Sequence, residues 1–111
     1  MIMNGWVFID KPIGLTSFQV VNQIKKALGV KKIGHSGTLD PFATGVLAIA
    51  IGEATKTIKF FNKSKTYEFL VSFGKLKDTD DITGKTIQTS ENIPTKKDIE
   101  SCINNLSLIH I

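Results

Sequence analysis

The sequence predicts an α+β fold for this chain of 111 residues, and three patterns carry that prediction. The uninterrupted apolar run Val46–Ile51 is typical of a buried strand. Apolar residues spaced three and four apart over 17–28 indicate an amphipathic helix, and near-regular alternation over 67–73 indicates a strand with one buried face. Strands and helices therefore follow one another in mixed order, as they do in α+β domains.

The first elements are bounded by proline and glycine. Trp6–Ile9 is predicted to be a strand, because it is short, apolar and followed by a turn rich in proline and glycine. The helix over 17–28 has two possible amino-terminal caps, Thr16 and Ser17. Gly29 is the expected stop, since glycine readily adopts the left-handed conformation that ends helices.

Four more elements are predicted after the run Val46–Ile51. A short helical stretch begins at Gly52 and ends near Asn62, and the alternating strand over 67–73 follows it. A polar loop then leads to a returning strand at 85–89. A final helix is predicted from Pro94 to about Asn105.

Composition limits the class of protein. The chain is 41% hydrophobic and contains no apolar run near the roughly 20 residues that cross a bilayer, so it is expected to be soluble, cytoplasmic and free of membrane contact. Its single cysteine forms no internal disulfide, and two distant histidines provide no metal-ligand spacing. A net charge of +4 favours an anionic partner only slightly.

Lysines flank a glycine-rich segment on both sides. If they converge in space, they could bind phosphates around a reacting nucleotide; alternatively they are the solvated faces of two helices. They are Lys25, Lys26, Lys31 and Lys32 before the segment, and Lys56, Lys59, Lys63 and Lys65 after the buried strand.

The segment between these lysines, Gly34–Gly45, presents one carboxylate directly before an apolar strand. Pro41 disfavours the α region for Asp40, so the carboxylate is expected at a rigid corner, which is a common way to present a catalytic group. The same pair of residues is also an ordinary helix cap or a simple turn. The spacing alone leaves these alternatives open.

Four segments, taken in order, resemble the bacterial tRNA pseudouridine synthase B family. The resemblance implies the catalytic fold of that family, a mixed β-sheet with flanking helices. It also implies that residues 1–111 form an amino-terminal portion of the catalytic domain, without its second half or a carboxy-terminal RNA-binding domain. The segments are Asp10–Ser17, similar to DKPxGxTS; Gly34–Lys56, which contains GxLDPxATG; Lys65–Tyr67, similar to K-x-Y; and Gly74–Gly84, similar to GxxxDTxDxxG.

The resemblance also implies roles for individual residues. Asp40 matches the catalytic nucleophile, His35 a contact to the remodelled RNA loop, and Tyr67 a tyrosine that stacks on the target uracil. Asp81 matches an acidic position on the substrate side, and Lys11 lies in a segment that shapes the strand end near the substrate. By pattern alone, His35 is an ordinary surface histidine, Tyr67 a strand aromatic and Lys11 part of a turn.

The implied reaction converts the uridine at position 55 in the T-loop of tRNA to pseudouridine. It needs no cofactor and no metal, and the expected partner is the T-stem-loop of tRNA. Attack of the Asp40 carboxylate at C1′ or C6, or assistance of elimination to a glycal, are all compatible with the sequence. The chain alone is expected to be inactive, because further pocket residues of the family lie in later strands.

A non-catalytic alternative is a KH module, whose GxxG loop clamps single-stranded nucleic acid. Ile33–Gly37 fits the IGxxG core of such a module, although a second helix would have to follow directly and Pro41 and Gly45 interrupt it. A calcium loop at Asp78 is excluded, because Thr83 occupies the position where an EF-hand requires glycine.

Overall fold

The structure, a computed structural model, describes residues 2–61, 64–103 and 105–106. These residues fall into two compact units divided between Lys65 and Thr66. The predicted α+β class is confirmed. The elements in order are β1 (Gly5–Lys11), α1 (Ser17–Leu28), β2 (Ile33–Ser36), β3 (Gly45–Ile51), a 3₁₀ helix (Gly52–Phe60), β4 (Lys75–Lys77), β5 (Thr86–Thr89) and α2 (Lys96–Ile103). No described helix has both the length and the apolar character needed to cross a bilayer.

The first unit contains a three-stranded antiparallel sheet in the order β1-β3-β2. The apolar run predicted as a buried strand is confirmed as β3, the central strand, and the predicted amino-terminal strand is confirmed as β1. Lys11 lies opposite Gly45 at one end of the sheet, while Gly5 and Ile33 both lie opposite Ile51 at the other. β3 is paired on both sides over Ala48–Ile51, and its side chains are buried from Leu47 to Ile51, which suits an apolar sequence.

The core of this unit combines the central strand with α1. Leu47, Ile49 and Ile51 are at most 1% exposed, and Val20 and Val21 of α1 are 4% and 6% exposed. Burying each such side chain contributes about 1.5–3 kcal/mol. Their burial fixes β3 and α1 in place, and with them the chain segments directly before and after each.

Helix α1 has well-formed ends. The hydroxyl of Thr16 accepts a hydrogen bond from the Gln19 N–H at 3.0 Å, and the Gln19 side chain accepts one from the Thr16 N–H at 2.9 Å. Gly29 ends the helix in the left-handed conformation, with φ of 63°. The predicted helix is confirmed, and Thr16 is its cap instead of Ser17.

The second unit contains a hairpin and a short helix. β4 and β5 pair antiparallel, which confirms the predicted returning strand, and α2 confirms the final helix. The helical stretch predicted from Gly52 is confirmed as a 3₁₀ helix in the first unit. Its expected end at Asn62 lies outside the described residues.

The predicted strand over 67–73 is wrong. The structure assigns no strand to these residues, and β5 pairs with the shorter β4. Phe69 is 58% exposed and Leu70 is fully exposed, so no single face is buried among the described residues. Alternation shows that a segment suits a half-buried strand, but a strand also needs a neighbour for its backbone N–H and C=O groups.

Candidate active site

Asp40 lies in a tight turn between β2 and β3. Its Oδ1 accepts a hydrogen bond from the Phe42 N–H at 2.9 Å, and its carbonyl accepts one from the Ala43 N–H at 2.9 Å. No helix starts at Pro41, so the turn alternative is the correct description of the backbone. Oδ2 receives no hydrogen bond from any described residue, and Asp40 is partly exposed. One carboxylate oxygen therefore fixes the turn while the other is available for chemistry.

Lys11 holds this turn through hydrogen bonds from its buried ammonium group. It is the largest fully buried side chain, with 0% exposure, and its Nζ donates to the carbonyls of Pro12, Leu15 and Pro41 at 2.9, 2.8 and 3.3 Å. The Pro41 carbonyl also accepts a hydrogen bond from the Gly14 N–H at 2.8 Å. The loop after β1 is thereby joined to the peptide that follows Asp40.

Ser17 supports the other side of Asp40. Its hydroxyl, 1% exposed, accepts a hydrogen bond from the Leu39 N–H at 3.0 Å and lies 3.3 Å from the Leu39 carbonyl, to which it donates. The Leu39 side chain is itself buried. The backbone is thus held on both sides of Asp40 by buried side chains from the segment 11–17.

His35 lies on β2 with its ring directed at the start of the loop. Its Nδ1 is 3.0 Å from the Gly37 carbonyl, and because a carbonyl only accepts, Nδ1 carries the proton. Nε2 of His35 is bonded by none of the residues the structure describes. The ammonium end of Lys65 packs against Gly37, so close that a side chain at Gly37 would collide with it.

Tyr67 and Asp81 belong to the second unit. Tyr67 is partly exposed in the irregular segment before β4. Asp81 accepts hydrogen bonds through Oδ1 from the Thr83 hydroxyl, the Thr79 hydroxyl and the Thr83 N–H. These bonds, with that from the Thr83 hydroxyl as the largest cause, hold the pKa of Asp81 below its ordinary value. Asp81 is therefore an ionised acceptor that organises its own loop.

Two of the flanking lysines, Lys32 and Lys56, lie away from Asp40. Lys32 precedes β2 and its carbonyl accepts a hydrogen bond from Gly52, which places it at the end of β3 away from the Asp40 turn. The seven residues of β3 extend about 20 Å at roughly 3.3 Å each. Near that end, an ion pair with Lys56, and secondarily the charge of Lys32, lowers the pKa of Glu53.

Of the two alternatives for these lysines, convergence on a reacting nucleotide therefore does not apply to Lys32 and Lys56. Ile33 and Ile51 lie opposite each other at the end of the sheet near Glu53. Lys32 directly precedes Ile33, and Lys56 lies in the 3₁₀ helix that follows Ile51, so both lysines are at that end. Lys65, beside Gly37, is the member of the set that the structure places in the loop of Asp40. Lys63 lies outside the described residues.

The sequence missed Ser17 as a residue of the site. From the sequence, Ser17 is only a candidate cap for α1. Because one helix needs one cap, two adjacent candidates, Thr16 and Ser17, are the signal that one of the two hydroxyls has a different partner. Lys11 is a predicted residue of the site, but its burial could not be predicted, since lysine is seldom fully buried.

The KH alternative is contradicted by the local backbone. Four of the five residues of its IGxxG core form β2, and β2 pairs with β3 over Ile33–Ser36. The segment is part of a sheet and is followed by the Asp40 turn, whereas a GxxG loop leads into a second helix.

Comparison with known proteins finds relatives that are similar over most of this chain. A protein of Ehrlichia chaffeensis named tRNA pseudouridine synthase B is 50% identical over 104 residues, covering 93% of this chain and 35% of that protein. One of the same name from Ruegeria sp. strain TM1040 is 51% identical over 102 residues, covering 91% of this chain and 34% of that protein. The chain thus spans about a third of the length of these curated relatives.

A solved structure described as an H/ACA RNP bound to a substrate RNA containing 2′-deoxyuridine is 48% identical, with a TM-score of 0.49, over 50% of this chain and 18% of that one. The model of the TruB family pseudouridylate synthase N-terminal domain matches residues 25–108, which include the Asp40 turn and most of both compact units. The chain therefore belongs to the TruB family of pseudouridylate synthases and carries its N-terminal domain.

Proposed function

We propose that Asp40 is the nucleophile of an enzyme that converts uridine to pseudouridine in tRNA, at position 55 of the T-loop. The observation that carries this proposal is the Asp40 turn. One carboxylate oxygen is used to fix the turn, the other is unoccupied by described residues, and the backbone on both sides is held by Lys11 and Ser17. The relatives named tRNA pseudouridine synthase B support the same reaction.

The reaction suits a carboxylate and needs no redox group. The bond from C1′ to N1 breaks, the base turns, and a bond from C1′ to C5 forms; C5 releases its proton and N1 takes one up, so the product is an isomer of the substrate. A carboxylate can attack at C1′ or C6, or assist elimination to a glycal. Each route requires a free carboxylate oxygen in a fixed position, and Oδ2 of Asp40 meets that requirement.

The substrate must bring a base out of its stack to reach this turn, as enzymes acting on nucleobases generally require. His35 supports such a role, because its Nδ1 is fixed by Gly37 while its Nε2 is left for a contact with RNA. Tyr67 is proposed to stack on the uracil and Asp81 to act on the substrate side. Lys11 is proposed to act through the Pro41 carbonyl, since its buried ammonium already has three acceptors.

The 111-residue chain alone is proposed to be inactive. It corresponds to about a third of its relatives, and no described residue forms an ion pair with Asp40. We propose that residues 1–111 are an amino-terminal portion of a catalytic domain whose pocket is completed by the segments that the relatives have in addition.

The proposal is tested in a chimera in which this chain replaces the matching segment of the Ehrlichia chaffeensis relative. Pseudouridine formation is followed by release of tritium from C5 of uridine in an unmodified tRNA transcript. Asp40→Asn is expected to lower the rate by at least about a thousandfold, as removal of a nucleophile does.

Asp98→Asn is the matched control, because Asp98 also accepts a hydrogen bond from a backbone N–H, that of Thr95. It is expected to retain the activity of the parent chimera. Pseudouridine formation at the parent rate by Asp40→Asn would refute the proposed function.

A further inference from the structure

We infer that Ser17 is a positioning residue for Asp40, and this inference rests on the proposed function. Ser17 is the first residue of α1, and its hydroxyl is 1% exposed. It meets the peptide groups of Leu39 twice, by accepting from the N–H at 3.0 Å and donating to the carbonyl at 3.3 Å. Leu39 directly precedes the carboxylate residue.

The Ser17 hydroxyl is not needed by the helix that contains it. Thr16 caps α1, and Gln19 returns a hydrogen bond to the Thr16 N–H, so the capping box is complete without Ser17. A buried hydroxyl at the first helical position that bonds outside its helix therefore joins α1 to the Asp40 turn. The helix is in turn fixed to the core through Val20 and Val21.

The two hydrogen bonds hold the N–H and the carbonyl of Leu39, the residue immediately before Asp40. On the far side, the carbonyl of Pro41, the residue after Asp40, is held by Lys11 and by the Gly14 N–H. Because the backbone is held at both neighbours of Asp40 and its Oδ1 is fixed by the Phe42 N–H, little freedom is left for Oδ2. Loss of the Ser17 hydroxyl leaves the Leu39 N–H without its acceptor and allows the turn to shift.

The consequence is specific to the chemical step. A misplacement of reacting groups by about 1 Å lowers a rate by about a hundredfold. Ser17 is buried and has no surface to present to RNA, so its loss should leave RNA affinity nearly unchanged. Ser17→Ala is therefore expected to lower the single-turnover rate by about 10–100-fold and to change the Kd for tRNA by less than about threefold.

The experiment uses the same chimera and measures both quantities for Ser17→Ala and for Val20→Ala. Val20 is a buried residue of α1 whose apolar side chain forms no hydrogen bond to the turn, so Val20→Ala reports the effect of weakening the helix packing without the loss of a hydrogen bond. At a temperature where both variants are folded, Val20→Ala is expected to keep the parent rate. Amide hydrogen exchange at Leu39 should accelerate in Ser17→Ala and stay slow in Val20→Ala.

Two results would overturn the inference. One is a single-turnover rate of Ser17→Ala equal to that of Val20→Ala, and the other is a rate loss explained wholly by weaker tRNA binding. If Ser17→Ala does not fold, Ser17→Cys replaces it, since a thiol keeps the volume but is a weak donor and acceptor, and the same rate loss is expected. Asp40→Asn separates the two proposals, because an active Asp40→Asn refutes the function, whereas an inactive Asp40→Asn with a fully active Ser17→Ala refutes only the role of Ser17.

Discussion

Replacing Lys11 by methionine tests how much the buried ammonium contributes to the stability of the first unit. Methionine is unbranched and of similar length, so the change removes the charge and the donors but leaves most of the volume. The carbonyls of Pro12 and Leu15 have Lys11 Nζ as their side-chain donor, while the Pro41 carbonyl keeps the Gly14 N–H. Two partly buried acceptors therefore lose a partner.

The expected loss follows from those two acceptors. A fully buried carbonyl left unsatisfied costs about 1–3 kcal/mol, and these two carbonyls are only partly buried, so Lys11→Met should lower the free energy of unfolding by about 1–3 kcal/mol in total. A small domain has only about 5–15 kcal/mol in total. With a urea dependence of about 1–3 kcal/mol per molar, the midpoint should fall by about 0.3–3 M.

Urea unfolding of the 111-residue chain, followed by Trp6 fluorescence, measures this change. Trp6 is the single tryptophan, lies on β1 with Lys11, and stacks on Phe61 with ring centroids 4.8 Å apart. Lys31→Met is the control, because Lys31 is exposed and its loss should cost less than about 0.5 kcal/mol. Equal midpoints for Lys11→Met and Lys31→Met would show that the buried ammonium contributes nothing net, as when its desolvation cancels its hydrogen bonds.

Two further predictions concern the replacement of two glycines by alanine and the effect of acid on α2. Gly52→Ala should destabilise the chain more than Gly29→Ala in the same urea titration: both have left-handed backbones, with φ of 65° and 63°, but an added Cβ meets Met3 and Asn4 only at Gly52. Each substitution should lower the free energy of unfolding by about 1 kcal/mol because alanine is strained in the left-handed conformation. Equal losses for the two variants would contradict the predicted collision at Gly52. Hydrogen bonds from the Thr95 N–H and hydroxyl lower the pKa of Asp98, so its contribution to α2 is present above the ordinary aspartate pKa of about 3.9 and is lost as pH falls through the lower folded value. The protection factors of the α2 amides, which are the intrinsic exchange rates divided by the observed rates at the same pH, should therefore fall on acidification, and Asp98→Asn should remove that pH dependence; an unchanged pH response in Asp98→Asn would contradict this assignment.

Elements with local causes were predictable from the sequence. Helix α1 begins at a capping box and ends at a left-handed glycine, and both signals lie within a few residues of the ends they mark. β3 was predictable because a central strand whose side chains are buried from Leu47 to Ile51 is expected to be an uninterrupted apolar run. The predicted nucleophile, Asp40, was identified from its resemblance to a family, while the adjacent proline left a turn and a helix cap as alternatives.

Elements that depend on neighbours were not predictable. β2 contains Gly34 and His35 and has no alternating pattern, and it is a strand because β3 offers backbone partners. Residues 67–73 have a good strand pattern and no partner among the described residues, so they remain irregular. The 3₁₀ helix covers one side of β2, where the Ile58 side chain lies 3.0 Å from the position of a Cβ on Gly34.

The sequence by itself determined the class of fold, the ends of α1 and the residue that carries the free carboxylate. Only the tertiary structure decided that Lys11 is buried, that Ser17 bonds Leu39 instead of capping its helix, and that Lys32 lies at the far end of the sheet from Asp40. The physical reason is the range of the interactions. Caps, turns and periodicity act between residues a few positions apart, whereas the hydrogen bonds that hold the Asp40 turn join residues 22 and 30 positions apart, and their formation depends on how β1, α1 and β3 pack together.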